Sequence, residues 1–156
     1  MALEIERKFL VCSDEWRCSV HQTVPIRQGY FCRTQFMCGR VRIFGDKGFV
    51  TLKSEAGTLV RHEYEYEIPV ADAAEIIECF CIEPSIVKQR HMLYHEGMLW
   101  TVDVFEEANR GLIMAEVELQ HPEQPVTIPP WVGPDVTADP RYSNSNLARS
   151  PFVTWK

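Results

Sequence analysis

Polar and apolar side chains alternate along most of this chain with a period of two. Between Leu3 and Cys12, Glu4, Glu6 and Lys8 fall on one side, and Ile5, Phe9 and Val11 fall on the other together with Arg7. That spacing predicts a strand. A second short strand, Ile26–Cys32, follows Pro25. Cys38–Phe44 and Gly48–Lys53 flank Gly45-Asp46-Lys47, a hairpin signal, and Glu55-Ala56-Gly57-Thr58 marks the next turn. Arg61–Val70 predicts a long strand that stops near Pro69, and Ile86–Tyr94 and Met98–Phe105 pair around His95-Glu96-Gly97. Leu112–Gln120 supplies the eighth strand. One helical pattern stands out: Asp72 as cap, Glu75 three residues on, and a stripe of Ile76, Ile77 and Phe80, ending before Pro84. Pro122–Pro134 is too rich in proline for a central strand or a long helix, and Asn144–Ser150 suits a last short helix. Eight short strands joined mostly by hairpins predict a mainly β fold, an antiparallel barrel or sandwich with few helices.

At 156 residues, with no linker or repeat, the chain reads as a single domain spanning 1–156. With 46% apolar and 24% charged residues it is neither disordered nor fibrous. No apolar run reaches the roughly 18 residues of a membrane span. Charge appears by residue 4, unlike a secretory signal. The expectation is a cytoplasmic protein with no membrane role. A net charge of −6 argues against nucleic acid as partner. The six cysteines form no CxxC pair and read as free thiols.

The charges change the picture because of the company they keep. Glu4, Glu6 and Lys8 share a strand face; so do Arg40 and Arg42, Thr51 and Lys53, Lys88 and Arg90, and Glu116 and Glu118. Arg61, Glu63, Glu65 and Glu67 line up, and Asp103 is in phase with Thr101. One reading makes these the solvated faces of ordinary amphipathic strands. Like charges at i and i+2 repel, however, and bring no stability of their own. They make sense where carboxylate pairs bind a metal and guanidinium pairs bind phosphate. With these faces inward, eight strands enclose a polar lumen with room for one small ligand. The outward set (Ile5, Phe9, Val41, Ile43, Val102, Val104, Val117 and Leu119) then needs cover, which suggests a homodimer.

Glu4-Ile5-Glu6-Arg7-Lys8 resembles the ExExK signature of the CYTH superfamily, the triphosphate tunnel metalloenzymes. Arg40-x-Arg42, Thr51-Leu52-Lys53, Glu63-Tyr64-Glu65, Lys88-x-Arg90, Asp103 and Glu116-x-Glu118 follow in the family's order. Trp131-Val132-Gly133, Val136-Thr137 and Arg141-Tyr142-x-Asn144 resemble its short bacterial members. The likeness departs after Gln120, where many relatives have a helix and this chain has Pro122, Pro125, Pro129 and Pro130. The resemblance implies a closed eight-stranded antiparallel tunnel that binds a small-molecule triphosphate with divalent metal. It also implies inorganic triphosphatase activity, with class IV adenylate cyclase and nucleoside or thiamine triphosphatase as alternatives on the same fold. A polyphosphate-binding module without turnover is the alternative of another class.

On that reading Lys8, Arg40, Arg42, Lys53, Lys88 and Arg90 hold phosphate oxygens. Glu4, Glu6, Glu116 and Glu118 are hard donors for Mg²⁺ or Mn²⁺, with Glu63, Glu65 and Asp103 toward a second metal that activates water. Lys88 has two readings, a further phosphate clamp or a proton-handling partner of Tyr30. Tyr30 alone also reads as a core tyrosine with a satisfied hydroxyl. Arg61 and Glu67 lie toward strand ends and are expected in solvent. His62 and His91 lie on the opposite face, and Asp139 and Arg141 read as a salt bridge within a turn. Without a nucleophilic Cys, Ser or His in phase, direct attack by water is expected.

Overall fold

The computed structural model describes residues 3–54 and 59–155. Its strands are β1 (Leu3–Val11), β2 (Gln22–Arg33), β3 (Met37–Phe44), β4 (Lys47–Ser54), β5 (Val60–Ile68), β6 (Ile86–His95), β7 (Met98–Phe105), β8 (Ile113–Glu118) and β9 (Val132–Asp135). The helices are α1 (Val70–Phe80) and α2 (Asn144–Arg149). The sheet runs β5-β4-β3-β2-β6-β7-β8-β1, all antiparallel, and β5 returns to pair with β1, closing an eight-stranded barrel. Among the described residues the seam pairs Leu3, Glu4 and Ile5 with His62, Arg61 and Val60. Beyond it β9 pairs with Phe9 and Val11 of β1. The expected turn over residues 55–58 lies outside the described residues.

The local chemistry explains where elements begin and end. Glu96 and Gly97 both take positive φ, 47° and 77°, in the two-residue β6–β7 turn, matching the twist of its strands. β2 starts four residues earlier than its pattern predicts and carries Pro25 inside it. The Pro25 carbonyl accepts from Gly45 N, so its missing N–H faces the β3–β4 turn rather than β6, and no ladder bond is lost. β9 lies in the proline-rich stretch and escapes the same penalty as an edge strand pairing only with β1. α1 begins at Val70, with Pro69 rather than Asp72 at its cap, and Asp72 lies in the first turn, where its charge complements the helix dipole. Its buried stripe is Ala73 and Ile77; Phe80, expected inside, is 63% exposed. Ala73 fits because Gly48 of β4 leaves room: a Cβ there would sit 2.9 Å from the Ala73 Cβ.

Much of the barrel's outer face is covered by the chain itself. Ile5, Phe9, Val102, Val117 and Leu119 pack with Trp16, Trp100 and Trp131, and α1 covers Val41 and Ile43. The outward residues expected to need a partner's cover are thus packed within the chain. The large apolar side chains left in solvent include Leu52, Tyr64 and Tyr66 on β4 and β5. Arg141 and Asp139 form the expected turn bridge at 2.6 Å, and His91 packs on Trp16. Among the described residues no helix is long and apolar enough to cross a membrane.

One end of the barrel is floored. Tyr30, Ile86, Phe105, Leu112 and Met114 form an apolar layer closed from below by Leu147 and Ala148 of α2. Leu147→Ala removes a side chain with no solvent exposure. It is expected to lower stability by about 2–5 kcal/mol, read as a shift in the urea midpoint.

Candidate active site

Above this floor the barrel encloses a cavity of about 530 Å³. Among the described residues seven cationic side chains line it (Lys8, Arg40, Arg42, Lys53, Arg61, Lys88 and Arg90) with six carboxylates: Glu4, Glu6, Glu63, Glu65, Glu116 and Glu118. Asp103 lies behind Lys88 and Arg90 as a seventh, with no exposure at all. The ionic faces do point inward, and the count of opposite charges balances.

Most of these groups form one chain of alternating sign. Lys88 Nζ donates to Asp103 at 2.6 Å, and Arg90 donates to both Asp103 oxygens at 2.7 Å and to Glu116 at 2.8 Å. Lys8 joins Glu116 at 3.0 Å to Glu6 at 2.9 Å. Arg61 joins Glu6 at 2.6 Å to Glu4 at 3.0 Å. Lys53 joins Glu4 at 2.9 Å to Glu63 at 2.7 Å. Arg40 and Arg42 stand apart, sharing Glu65 at 3.3 and 3.0 Å, with Thr51 donating to the same carboxylate at 2.7 Å.

The cavity is polarised in spite of its balance. Arg40 and Arg42 share one carboxylate, and each keeps a buried Nε–H with no partner among the described residues. Burial, reinforced by Arg40, lowers the Arg42 pKa to about 10. Glu118, at the acidic side, makes no ion pair among the described residues; burial and the charges of Glu4, Glu6 and Glu63 push its pKa up. Between these poles the buried lysines differ. Burial opposes the charge on Lys8, but Glu116 and Glu6 outweigh it and raise its pKa. Burial wins at Lys88, with Arg90 adding to it against Asp103, and its pKa falls to about 8. Lys88 Nζ also donates to Asn144 Oδ1 of α2 at 2.9 Å. Burial holds the Tyr30 phenol at about 12, and its oxygen accepts from Gln28 Nε2 at 3.0 Å.

Several expectations change here. Asp103, a candidate metal ligand by sequence, does not reach the cavity surface, and Lys88 and Arg90 take both of its oxygens. It anchors cations. Glu65, expected toward the second metal, is held by two arginines and Thr51. Among the described residues no three acidic, histidine or cysteine side chains converge as a ready metal site, because cations hold the carboxylates. Arg61, expected in solvent, has a side chain only 12% exposed, whereas Glu67 is 59% exposed as expected. Gln28 and Asn144 also line the cavity; Gln28 was in phase with Tyr30 and carried that signal, while the fold alone brings Asn144 to Lys88. Cys38 lines the cavity too, but burial pushes its thiol up, away from the reactive thiolate.

The profile of the CYTH domain family matches residues 2–149. A protein of Acetivibrio thermocellus named inorganic triphosphatase is 44% identical over 156 residues, covering 100% of this chain and 99% of its own. A protein of Nitrosomonas europaea with the same name is 38% identical over 151 residues, covering 94% and 97%. A crystal structure described as an inorganic triphosphatase is 36% identical, covers 95% of each chain and superposes with a TM-score of 0.68.

The two carboxylates of β8 should respond oppositely to neutralisation. Glu116→Gln loses ion pairs to Lys8 and Arg90, each of which keeps a second carboxylate, so a loss of about 1–3 kcal/mol is expected. Glu118→Gln relieves repulsion and should raise the melting temperature at neutral pH. A carboxyl with a raised folded pKa binds its proton more tightly in the folded chain, so its ionisation destabilises as pH rises past the ordinary carboxylate range. The gain should therefore vanish at acid pH, where Glu118 is protonated in both states. Thermal melts of both variants at pH 7 and near pH 4 check this.

Proposed function

The chain belongs to the CYTH domain family, and we propose that it is a metal-dependent hydrolase of inorganic triphosphate, converting tripolyphosphate to pyrophosphate and phosphate. The observation that carries the reading is the floored cavity lined by seven cations, two of them guanidiniums whose Nε–H has no partner among the described residues. Phosphoryl transfer needs positioning and charge neutralisation more than covalent chemistry from the protein. Arg40 and Arg42 offer forked donors to phosphate oxygens, and Lys8, Lys53, Lys88 and Arg90 clamp the rest of the chain.

The carboxylates suit a hard divalent cation. Glu4, Glu6, Glu116 and Glu118 would hold it, Glu63 stands beside them, and the unpaired Glu118 already has an excess of like charge around it. When bound, Mg²⁺ or Mn²⁺ supplies Lewis-acid neutralisation of phosphoryl oxygens and acidifies water. The nucleophile is water. Asp103 and Asn144 aim Lys88 at the substrate, and with a pKa of about 8 its ammonium can both clamp an oxygen and give its proton to the departing phosphate. Tyr30 lines the same cavity and keeps its proton at neutral pH, so its hydroxyl is a donor rather than a base. The six cysteines are all free thiols, which suits the cytoplasm as its compartment.

The floor gives a substrate preference. A triphosphate chain enters from the open mouth, and an inorganic chain can meet clamps along its whole length. With ATP the nucleoside must stay at the mouth or lie against cations that lose their partners, and an unpaired buried charge costs several kcal/mol. Each ~1.4 kcal/mol lost from the transition state is tenfold in rate, so kcat/KM for tripolyphosphate should exceed that for ATP by at least about a hundredfold. Phosphate release from both, with Mg²⁺ and with Mn²⁺, tests this. Equal efficiency on ATP would overturn the preference; cyclic AMP as main product would favour a cyclase; no turnover of either would favour a binding module.

A further inference from the structure

Arg61 bridges the two N-terminal carboxylates. Its Nη2 donates to Glu6 Oε1 at 2.6 Å and to Glu4 Oε2 at 3.0 Å, while Lys8 and Lys53 each touch only one of that pair. Barrel closure puts it there: Arg61 on β5 lies directly opposite Glu4 on β1. No assigned role uses this guanidinium, and its side chain is as sheltered as those of the phosphate clamps.

A guanidinium and a divalent cation compete for the same carboxylate oxygens. A metal held by Glu4 and Glu6 must take oxygens from Arg61 and leave a sheltered cation without partners, which is costly. A phosphate oxygen nearby removes that cost, because guanidinium binds phosphate as readily as carboxylate. Triphosphate arriving alone meets the opposite obstacle: cations it takes from the chain leave carboxylates unpaired beside Glu118, where negative charge is already in excess.

We propose that Arg61 is a specificity-determining counter-ion, which occupies the divalent-cation donors Glu4 and Glu6 in the empty tunnel and releases them only when a triphosphate takes its guanidinium. Metal and substrate then bind together, each tightening the other by the same factor. The inference rests on the metal-dependent triphosphatase reading and adds to it a residue whose job is to keep the metal out until substrate is present.

The test is binding, not turnover. Mn²⁺ is titrated into wild type, Arg61→Met, Arg61→Gln and Arg61→Lys, with free Mn²⁺ followed by its EPR signal. Each titration is run with and without imidotriphosphate, whose P–N–P bridges resist hydrolysis, and is read against the same Mn²⁺ and analogue without protein, because the analogue itself chelates Mn²⁺; circular dichroism checks that each variant is folded. In wild type the analogue should tighten Mn²⁺ binding about tenfold or more. Arg61→Met and Arg61→Gln should bind Mn²⁺ about tenfold more tightly than wild type without the analogue, about 1.4 kcal/mol, and gain little from it. Arg61→Lys retains a cation and should stay close to wild type. If both neutral variants bind Mn²⁺ no tighter than wild type, or if the analogue tightens Mn²⁺ equally in all four proteins, the role of Arg61 is overturned while the metal site stands. If wild type binds no Mn²⁺ even with the analogue, and releases no phosphate from tripolyphosphate, the underlying reading falls and takes the inference with it.

Discussion

Burying a charge is tolerable only when an opposite charge lies against it, and the interior of this barrel follows from that constraint. Ten side chains from Lys88 to Glu63 alternate in sign, so that each inner member touches two neighbours of opposite charge. The chain also shapes the fold. Among the described residues β1 and β5 meet over three residue pairs, which close the barrel. Arg61 to Glu4 and Glu6, and Lys53 to Glu4, cross that joint. The groups that stitch the seam also line the cavity, so a ligand that took these carboxylates would draw on barrel closure too.

Such a lining is weak evidence for stability. Buried ion pairs barely repay their desolvation, and well-packed apolar residues often do better. Stability rests instead on the layers outside and below the lining: the tryptophan cluster around Trp100, the Val41–Ala73–Ile77 contact, and the floor under Phe105 and Met114. The division has a functional logic. A tunnel stabilised by its own charges could not release them to a ligand, whereas a barrel held from outside can.

Much of this was legible in the sequence because its signals are local. Period-two alternation gives the strands, glycine turns give the hairpins, and the in-phase charges give the lining. What was not legible depends on contacts made far along the chain. Arg61 looks like a strand-end residue until β5 pairs with β1 and places it opposite Glu4. Asp103 has the residue type and phase of a metal ligand, but only the meeting of β6 and β7 shows Arg90 directly across from it, taking its oxygens. Asn144 reaches Lys88 only because the C-terminal segment folds back under the barrel, fifty-six residues away in sequence. The outer cover was hidden for the same reason: Trp16 and Trp131 lie in segments without periodicity and reveal their place only when they pack on the finished barrel.

The balance of the lining also bears on selectivity. The protein carries a net −6, and among the described residues the seven cations of the site face seven carboxylates, so the lining has little net charge with which to draw anions in. A single small anion would have to break one ion pair to make another, with little net gain. A triphosphate with divalent cation is different, because it brings several oxygens and positive charge at once. It can replace many contacts of the chain in one event, anion for carboxylate and metal for ammonium or guanidinium. A tunnel with excess positive charge would hold any phosphate, including its own products. One that is neutral and internally paired discriminates by the number of contacts a ligand can replace together, and pyrophosphate and phosphate, once separated, each replace fewer than the chain from which they came.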